Sequence, residues 1–163
     1  MKSFNEIRLA QELIRFHTIK TEDKGIMKFL SKKLSSVGFK CKIIKSKGSS
    51  SKNALNFFSK FGNSKPHINF LGHSDVVLNL DNWKVPPFKG LVKKGYLHGR
   101  GAQDMKGGIA CWISAVSKLI KSNKFKGSLS IIIAADEETS GLGTPAVMKY
   151  LRNKKEKIDF AIV

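Results

Sequence analysis

Apolar residues recur at helical spacing early in the chain and then at the spacing of short strands. Two segments, 7–16 and 26–37, carry apolar residues three and four positions apart, which predicts two amphipathic helices. Three apolar segments that follow, 40–45, 54–61 and 67–71, are bounded by turn-forming residues and predict β-strands. The first half of the chain is therefore predicted to alternate helices and strands.

The second half continues this alternation after an irregular stretch. Residues 78–101 are rich in proline and glycine and predict a loop without regular structure. A helical stripe covers 109–120, and the apolar run 129–135 is typical of a central strand covered on both faces. A further helix follows from Thr144, and a strand is predicted at 158–163. Helices alternating with apolar strands indicate a three-layer α/β domain.

Length and composition are those of one globular domain. The chain has 163 residues, of which 41% are hydrophobic and 26% charged. It has neither an apolar run long enough for a membrane span nor the pattern of a secretory signal, so we predict a cytoplasmic protein without a membrane partner. Cys41 and Cys111 are predicted to be free thiols, and Cys111 is expected to be buried. Trp83, Phe88 and Trp112 are also interpreted as core residues.

The net charge of +18 raises the alternative of a nucleic-acid-binding domain. Most of the basic residues are lysines spread along the chain, and only four are arginines, the residues that recognise bases and phosphates in a planar, bidentate manner. This distribution favours lysines on solvated faces, and we predict no nucleic-acid partner. Steeply salt-dependent binding to DNA or RNA would favour the alternative.

Polar clusters follow three predicted elements. His73 and Asp75 come directly after one strand, and Glu137 and Glu138 follow another, while Asp104 lies in a glycine-rich bend before a helix. Each cluster is a weak signal alone, but α/β domains place their sites at strand ends. An imidazole together with several carboxylates suits a divalent metal such as zinc.

The order and spacing of these motifs resemble the co-catalytic zinc aminoacylase and carboxypeptidase superfamily. The motifs are GHSDVV at 72–77, Asp81-Asn82-Trp83 with Pro87-Phe88, GRGAQDMKGG at 99–108 and the acidic triplet at 136–138. The resemblance implies a three-layer zinc-exopeptidase-like catalytic domain with a mixed central sheet. Within the superfamily, the motifs favour the desuccinylases of lysine and diaminopimelate biosynthesis over the acetylornithine deacetylases and related peptidases.

The resemblance also implies a role for each site residue. His73 would bind one zinc ion, with Asp75 orienting its imidazole, and Asp104 would bridge two zinc ions. Glu137 would act as general base, and Glu138 would bind the second zinc. Cobalt can substitute for zinc in such sites. The implied chemistry is metal-assisted hydrolysis of the amide bond of a small N-acyl amino acid.

The resemblance further implies that residues 1–163 are the N-terminal portion of the catalytic domain. The lid and dimerisation domain and the C-terminal catalytic part would then be absent, and we expect this portion to be inactive by itself. The complete chain is expected to form a homodimer. A truncated gene product that keeps the fold without the function is a further alternative.

Overall fold

The computed structural model describes residues 3–47, 53–78 and 82–163. Asp81 of the quoted motif lies outside these residues. The helices are α1 (Glu6–Ile14), α2 (Ile26–Ser35), α3 (Gly107–Ser122) and α4 (Gly143–Asn153). The strands are β1 (Lys40–Lys47), β2 (Asn53–Phe61), β3 (His67–His73), β4 (Leu91–Lys93), β5 (Tyr96–His98), β6 (Ser128–Ala134) and β7 (Phe160–Ile162).

Five strands form one mixed sheet in the order β1-β2-β6-β3-β7. The pairs β1–β2 and β2–β6 are antiparallel, whereas β3 is parallel to both β6 and β7. Every residue of β6 is buried, as expected for the middle strand of a sheet covered on both faces. The prediction of a central strand at 129–135 is confirmed, as is the mixed sheet.

Helices cover both faces of this sheet. On one face, α1, α2 and α3 pack against apolar side chains that include Phe57, Ile131 and Ile133. On the other face, α4 packs against Phe58 and Ile132. Neighbouring residues of a strand point to opposite faces of the sheet, so Phe57 and Phe58 in β2 pack in different cores, as do Ile131 and Ile132 in β6. The three-layer α/β prediction is confirmed.

The irregular stretch predicted at 78–101 holds a small element that the pattern did not indicate. Strands β4 and β5 form an antiparallel hairpin around Lys94 and Gly95, both of which have positive φ angles. The hairpin strands have three residues each and are half-buried or exposed, so they carry no apolar face that would mark them in the sequence.

Three expectations about buried side chains are wrong. Cys111 is exposed, because its position on α3 faces away from the sheet, whereas Trp112 packs against the core and stacks on Phe70. Trp83 and Phe88 lie outside both cores, and the ring of Phe88 stacks on that of His17. None of the helices in the described part of the chain combines the length and the apolar character that a membrane span requires.

Candidate metal centre

The predicted site residues meet where β3 and β6 end. These strands are parallel neighbours, and the last residue of β3, His73, pairs with Ala134 at the end of β6. The segments that follow both strands therefore emerge at the same edge of the sheet, where α/β domains commonly bind ligands. Asp75 follows β3 there, and Glu137 and Glu138 follow β6.

Three of the predicted side chains lie close enough to share one cation. One ligand atom each from His73, Asp104 and Glu138 lies within 4.8 Å of the others. His73 Nε2 is 2.8 Å from Asp104 Oδ1 and 3.8 Å from Glu137 Oε2. One imidazole nitrogen and two carboxylate oxygens form a donor set that suits zinc or a similar divalent ion.

Asp75 lies beneath the imidazole of His73, and both side chains are buried. His73 Nδ1 is 3.1 Å from the backbone oxygen of Asp75 and 3.6 Å from its carboxylate Oδ1. The backbone carbonyl is thus the nearer partner of the ring, whereas the carboxylate was the predicted one. The other carboxylate oxygen of Asp75 accepts a hydrogen bond from the backbone N–H of Glu138 at 2.9 Å. Asp75 therefore contacts residues from both strand ends.

Asp104 reaches the site from the bend Ala102–Lys106, which leads into α3 and in which Asp104 and Met105 have non-helical backbone angles. The Asp104–Met105 peptide bond is cis. The backbone N–H of His73 donates to Met105 Sδ at 3.3 Å, so this turn also packs on the end of β3. The glycine-rich bend thus places the carboxylate of Asp104 beside Nε2 of the His73 imidazole.

A tight turn after β6 brings Glu137 and Glu138 close to His73. Asp136 is buried, and its carboxylate accepts hydrogen bonds from the hydroxyls of Thr139 and Ser140. The Gly141 N–H donates to the Asp136 carbonyl at 2.6 Å, which closes the turn. Consecutive residues of an extended strand point in opposite directions, and the turn that follows β6 is what allows Glu137 and Glu138 both to lie near His73.

Electrostatics at the site favour a positive charge among the carboxylates. Burial lowers the pKa of His73, but the negative charges of Asp75 and Asp104 beside the ring outweigh it and raise the pKa to about 9. Burial and the nearby charge of Asp104 raise the pKa of Glu138. A divalent cation among the same side chains would supply the positive charge and compete with these protons.

Lys106 is a site residue that the sequence did not indicate. Its side chain is completely buried, and its Nζ donates to the backbone oxygen of Phe16 at 2.8 Å. Burial lowers the pKa of Lys106 to about 8, and the charge of Asp75 acts in the opposite direction. A lysine in a glycine-rich bend is normally solvated, so only the packing reveals its position.

A cleft of about 540 Å³ adjoins the candidate metal centre. Its lining includes Asp104 and Glu138 together with Trp83 and Arg100. The Arg100 guanidinium lies 5.3 Å from the centre of the Trp83 ring. The predicted core position of Trp83 is therefore wrong, since its ring forms a wall of the cleft. The cleft has the size of a small-molecule site.

An α/β domain with an imidazole and carboxylates gathered at the ends of parallel strands, beside a cleft, has the features of a metal-dependent hydrolase. The sequence profile of Peptidase family M20/M25/M40 matches residues 70–163, more than half of the chain. The chain belongs to this family, and membership implies a divalent metal at the site.

Relatives and solved structures agree with this assignment. Succinyl-diaminopimelate desuccinylase of Pelagibacter ubique is 48% identical over the whole chain, which covers 44% of that protein. The enzyme of the same name from Ehrlichia canis is 41% identical over 99% of the chain and 43% of its own length. The chain thus spans less than half the length of these relatives.

The fold is also that of solved peptidases. Human carnosine dipeptidase 1 superimposes with a TM-score of 0.82 at 19% identity, over 96% of this chain and 37% of its own. The dipeptidase Dug1p from Saccharomyces cerevisiae gives a TM-score of 0.80 at 22% identity, over 96% and 37%. At these identities the similarity shows the fold alone.

Proposed function

We propose that the protein with this chain is a metal-dependent amide hydrolase that releases succinate from N-succinyl-diaminopimelate. The observation that carries the proposal is the meeting of His73, Asp104 and Glu138 within 4.8 Å, in a chain 48% identical to a succinyl-diaminopimelate desuccinylase. The substrate is an anionic N-acyl amino acid, and the net charge of +18 favours its approach. We also propose a cytoplasmic homodimer, by analogy with the superfamily.

The donor set determines which residues would hold the metal. His73 offers Nε2, which lies 2.8 Å from Asp104 Oδ1, and Glu138 completes the group. When bound, a divalent ion polarises the amide carbonyl and acidifies water. The assignment of two zinc ions bridged by Asp104 comes from the resemblance to the superfamily and is part of the proposal.

Glu137 is the proposed general base. Its Oε2 lies 3.8 Å from His73 Nε2, and its side chain is more than half exposed, so it lies beside a proposed metal ligand and is accessible to water. The carboxylate would take a proton from the attacking water and deliver it to the leaving amine. Asp75 would orient the imidazole of His73 and does not touch the substrate.

Metal binding by the chain is the first test. Co²⁺ binding is followed by visible absorption and by competition with a chromophoric chelator, for the wild type and for Asp104→Ala and Glu138→Ala. We expect the wild type to bind and each variant to lose at least about tenfold in affinity. The matched control is Asp159→Ala. It removes a carboxylate that accepts a hydrogen bond from the backbone N–H of His67 at the other end of β3, and it should bind Co²⁺ like the wild type.

Substrate choice is tested with the whole protein. Initial rates are compared for N-succinyl-diaminopimelate and for acetylornithine, with and without added Zn²⁺. A higher kcat/KM for the succinylated substrate is expected. A preference for acetylornithine would favour the alternative of an acetylornithine deacetylase-like enzyme. Full activity of the Glu137→Gln variant would refute the role of Glu137 as general base.

A further inference from the structure

Arg100 is the positive charge of the cleft that adjoins the candidate metal centre. The described residues that line this cleft include two acidic side chains, Asp104 and Glu138, and a single basic one, Arg100. Both carboxylates belong to the group of side chains that is proposed to hold the metal. Arg100 is therefore the charged lining residue that is left to bind the part of a substrate that does not react.

The guanidinium group of Arg100 lies against an aromatic ring that lines the same cleft. Its Cζ is 5.3 Å from the centre of the Trp83 ring, which is within the range of a cation–π attraction. A guanidinium carries five N–H donors in a rigid, planar fork. It can therefore form a pair of parallel hydrogen bonds with a carboxylate while its other donors keep their contacts with the protein.

The backbone around Arg100 is fixed by the fold. The Arg100 N–H donates to the carbonyl of Pro87 at 2.6 Å. Gly99 packs so closely on α1 that an added Cβ would lie 2.6 Å from the side chain of Ile14, and Gly101 has a φ of 76°. A side chain on a backbone that is already ordered loses less conformational freedom when it binds a ligand.

We infer that Arg100 binds a carboxylate of the substrate and contributes to substrate choice. The inference rests on the proposed function for the identity of that substrate. N-succinyl-diaminopimelate carries one carboxylate at the end of its succinyl group and another beside the amide nitrogen, and a guanidinium recognises either of them with the same pair of hydrogen bonds. The Trp83 ring offers an apolar surface to the carbon atoms next to the bound carboxylate.

The experiment is steady-state kinetics of the whole protein and of its Arg100→Gln and Arg100→Lys variants. We expect Arg100→Gln to raise the KM for N-succinyl-diaminopimelate about 10- to 100-fold, the range that hydrogen bonds to a charged group contribute. The change in kcat should be much smaller, because the contact is made before and during the reaction alike. Arg100→Lys keeps the charge without the planar fork, so its KM should lie between the two.

Lys84→Gln is the matched control, because it removes a positive charge next to Trp83 from a side chain that does not line the cleft. It should leave the KM unchanged. An equal rise in KM in Lys84→Gln and Arg100→Gln would indicate only a general attraction of anions and would overturn the inference.

A merely structural role of Arg100 gives a different result. Its replacement would then lower kcat, Co²⁺ affinity or the melting temperature and leave the KM unchanged, and this outcome would also refute the inference. Added guanidinium ion should lower the KM of an Arg100→Ala variant, since it supplies the missing group without changing the backbone. Should Arg100→Gln not fold, Arg100→Lys provides the same comparison of KM with kcat.

Binding to the metal-free whole protein separates this inference from the proposed function and distinguishes the two carboxylates. Calorimetric titrations use succinate, which represents the acyl group, and N-acetyl-diaminopimelate, which keeps the carboxylate beside the amide. The ligand that Arg100→Gln weakens more identifies the carboxylate. A wild type that binds neither ligand, or unchanged binding of both in Arg100→Gln, would contradict the inference. Failure of the whole protein to hydrolyse N-succinyl-diaminopimelate would refute the proposed function, and the titrations would still decide whether Arg100 binds a carboxylate.

Discussion

Asp136 holds the turn that presents both glutamates, so its replacement should affect stability and metal binding together. The substitution Asp136→Asn keeps the size of the side chain and removes its charge. The carboxylate accepts two hydroxyl hydrogen bonds, from Thr139 and Ser140. Hydrogen bonds to charged groups contribute about 1.5–3 kcal/mol each, so the pair contributes about 3–6 kcal/mol.

Asparagine retains one carbonyl acceptor, and we therefore expect a loss of about 2–4 kcal/mol in the free energy of unfolding. For a chain of this length, each kcal/mol lowers the melting temperature by about 2–4 °C, which gives a decrease of about 4–16 °C. Co²⁺ affinity should fall about tenfold, because a looser turn no longer places Glu138 beside His73.

The assays are thermal unfolding by circular dichroism and Co²⁺ titration. Asp23→Asn is the matched control, because the Asp23 carboxylate also accepts two hydrogen bonds, from the backbone N–H groups of Gly25 and Met27 at the start of α2. This variant should melt a few degrees lower with unchanged Co²⁺ affinity. If Asp136→Asn melted within about 2 °C of the wild type and bound Co²⁺ equally well, the reasoning about the turn would be wrong.

Three further predictions concern the rest of the fold. Gly62→Ala should unfold at lower denaturant than Gly95→Ala, because both positions have positive φ but an added Cβ at Gly62 would lie 2.3 Å from a backbone oxygen. Ile131→Ala should cost about 2–5 kcal/mol by chemical denaturation, whereas Ile43→Ala, at a half-exposed position, should cost much less. The pKa of Glu6 is lowered to about 2 by hydrogen bonds. Its stabilising contribution is present above the usual pKa of 4.5 and is lost as the pH falls toward 2, so Glu6→Gln should abolish that part of the acid destabilisation.

The strands of the main sheet were predictable because each carries enough apolar residues to show its environment. The apolar run at 129–135 has the pattern of a strand covered on both faces, and β6 occupies that place. The hairpin β4–β5 was missed, since three-residue strands without a buried face leave no pattern. Cys111 was misplaced because the helical stripe predicts which face is apolar but not how far that face extends around the helix.

The candidate site was predictable to the extent that its residues follow strand ends. His73 is the last residue of β3, Glu137 and Glu138 follow β6, and neighbouring parallel strands bring such positions together. Lys106 could not be found in this way, and although Asp136 follows the same strand as the glutamates, its role in closing the turn could not be predicted either. Their importance comes from burial and from contacts to residues elsewhere in the chain, and neither type of residue is usually buried.

The pairing of β3 with β6 has a consequence for the entropy of the site. His73 and Glu138 are separated by 65 positions along the chain, and an ion held between them in an unfolded polymer would have to close a loop of that length. In this fold, seven consecutive residue pairs, from His67–Ser128 to His73–Ala134, already align the two segments. The loop is closed by main-chain hydrogen bonds before an ion arrives, so the affinity of the side chains for the ion need not be reduced by the ordering of the backbone.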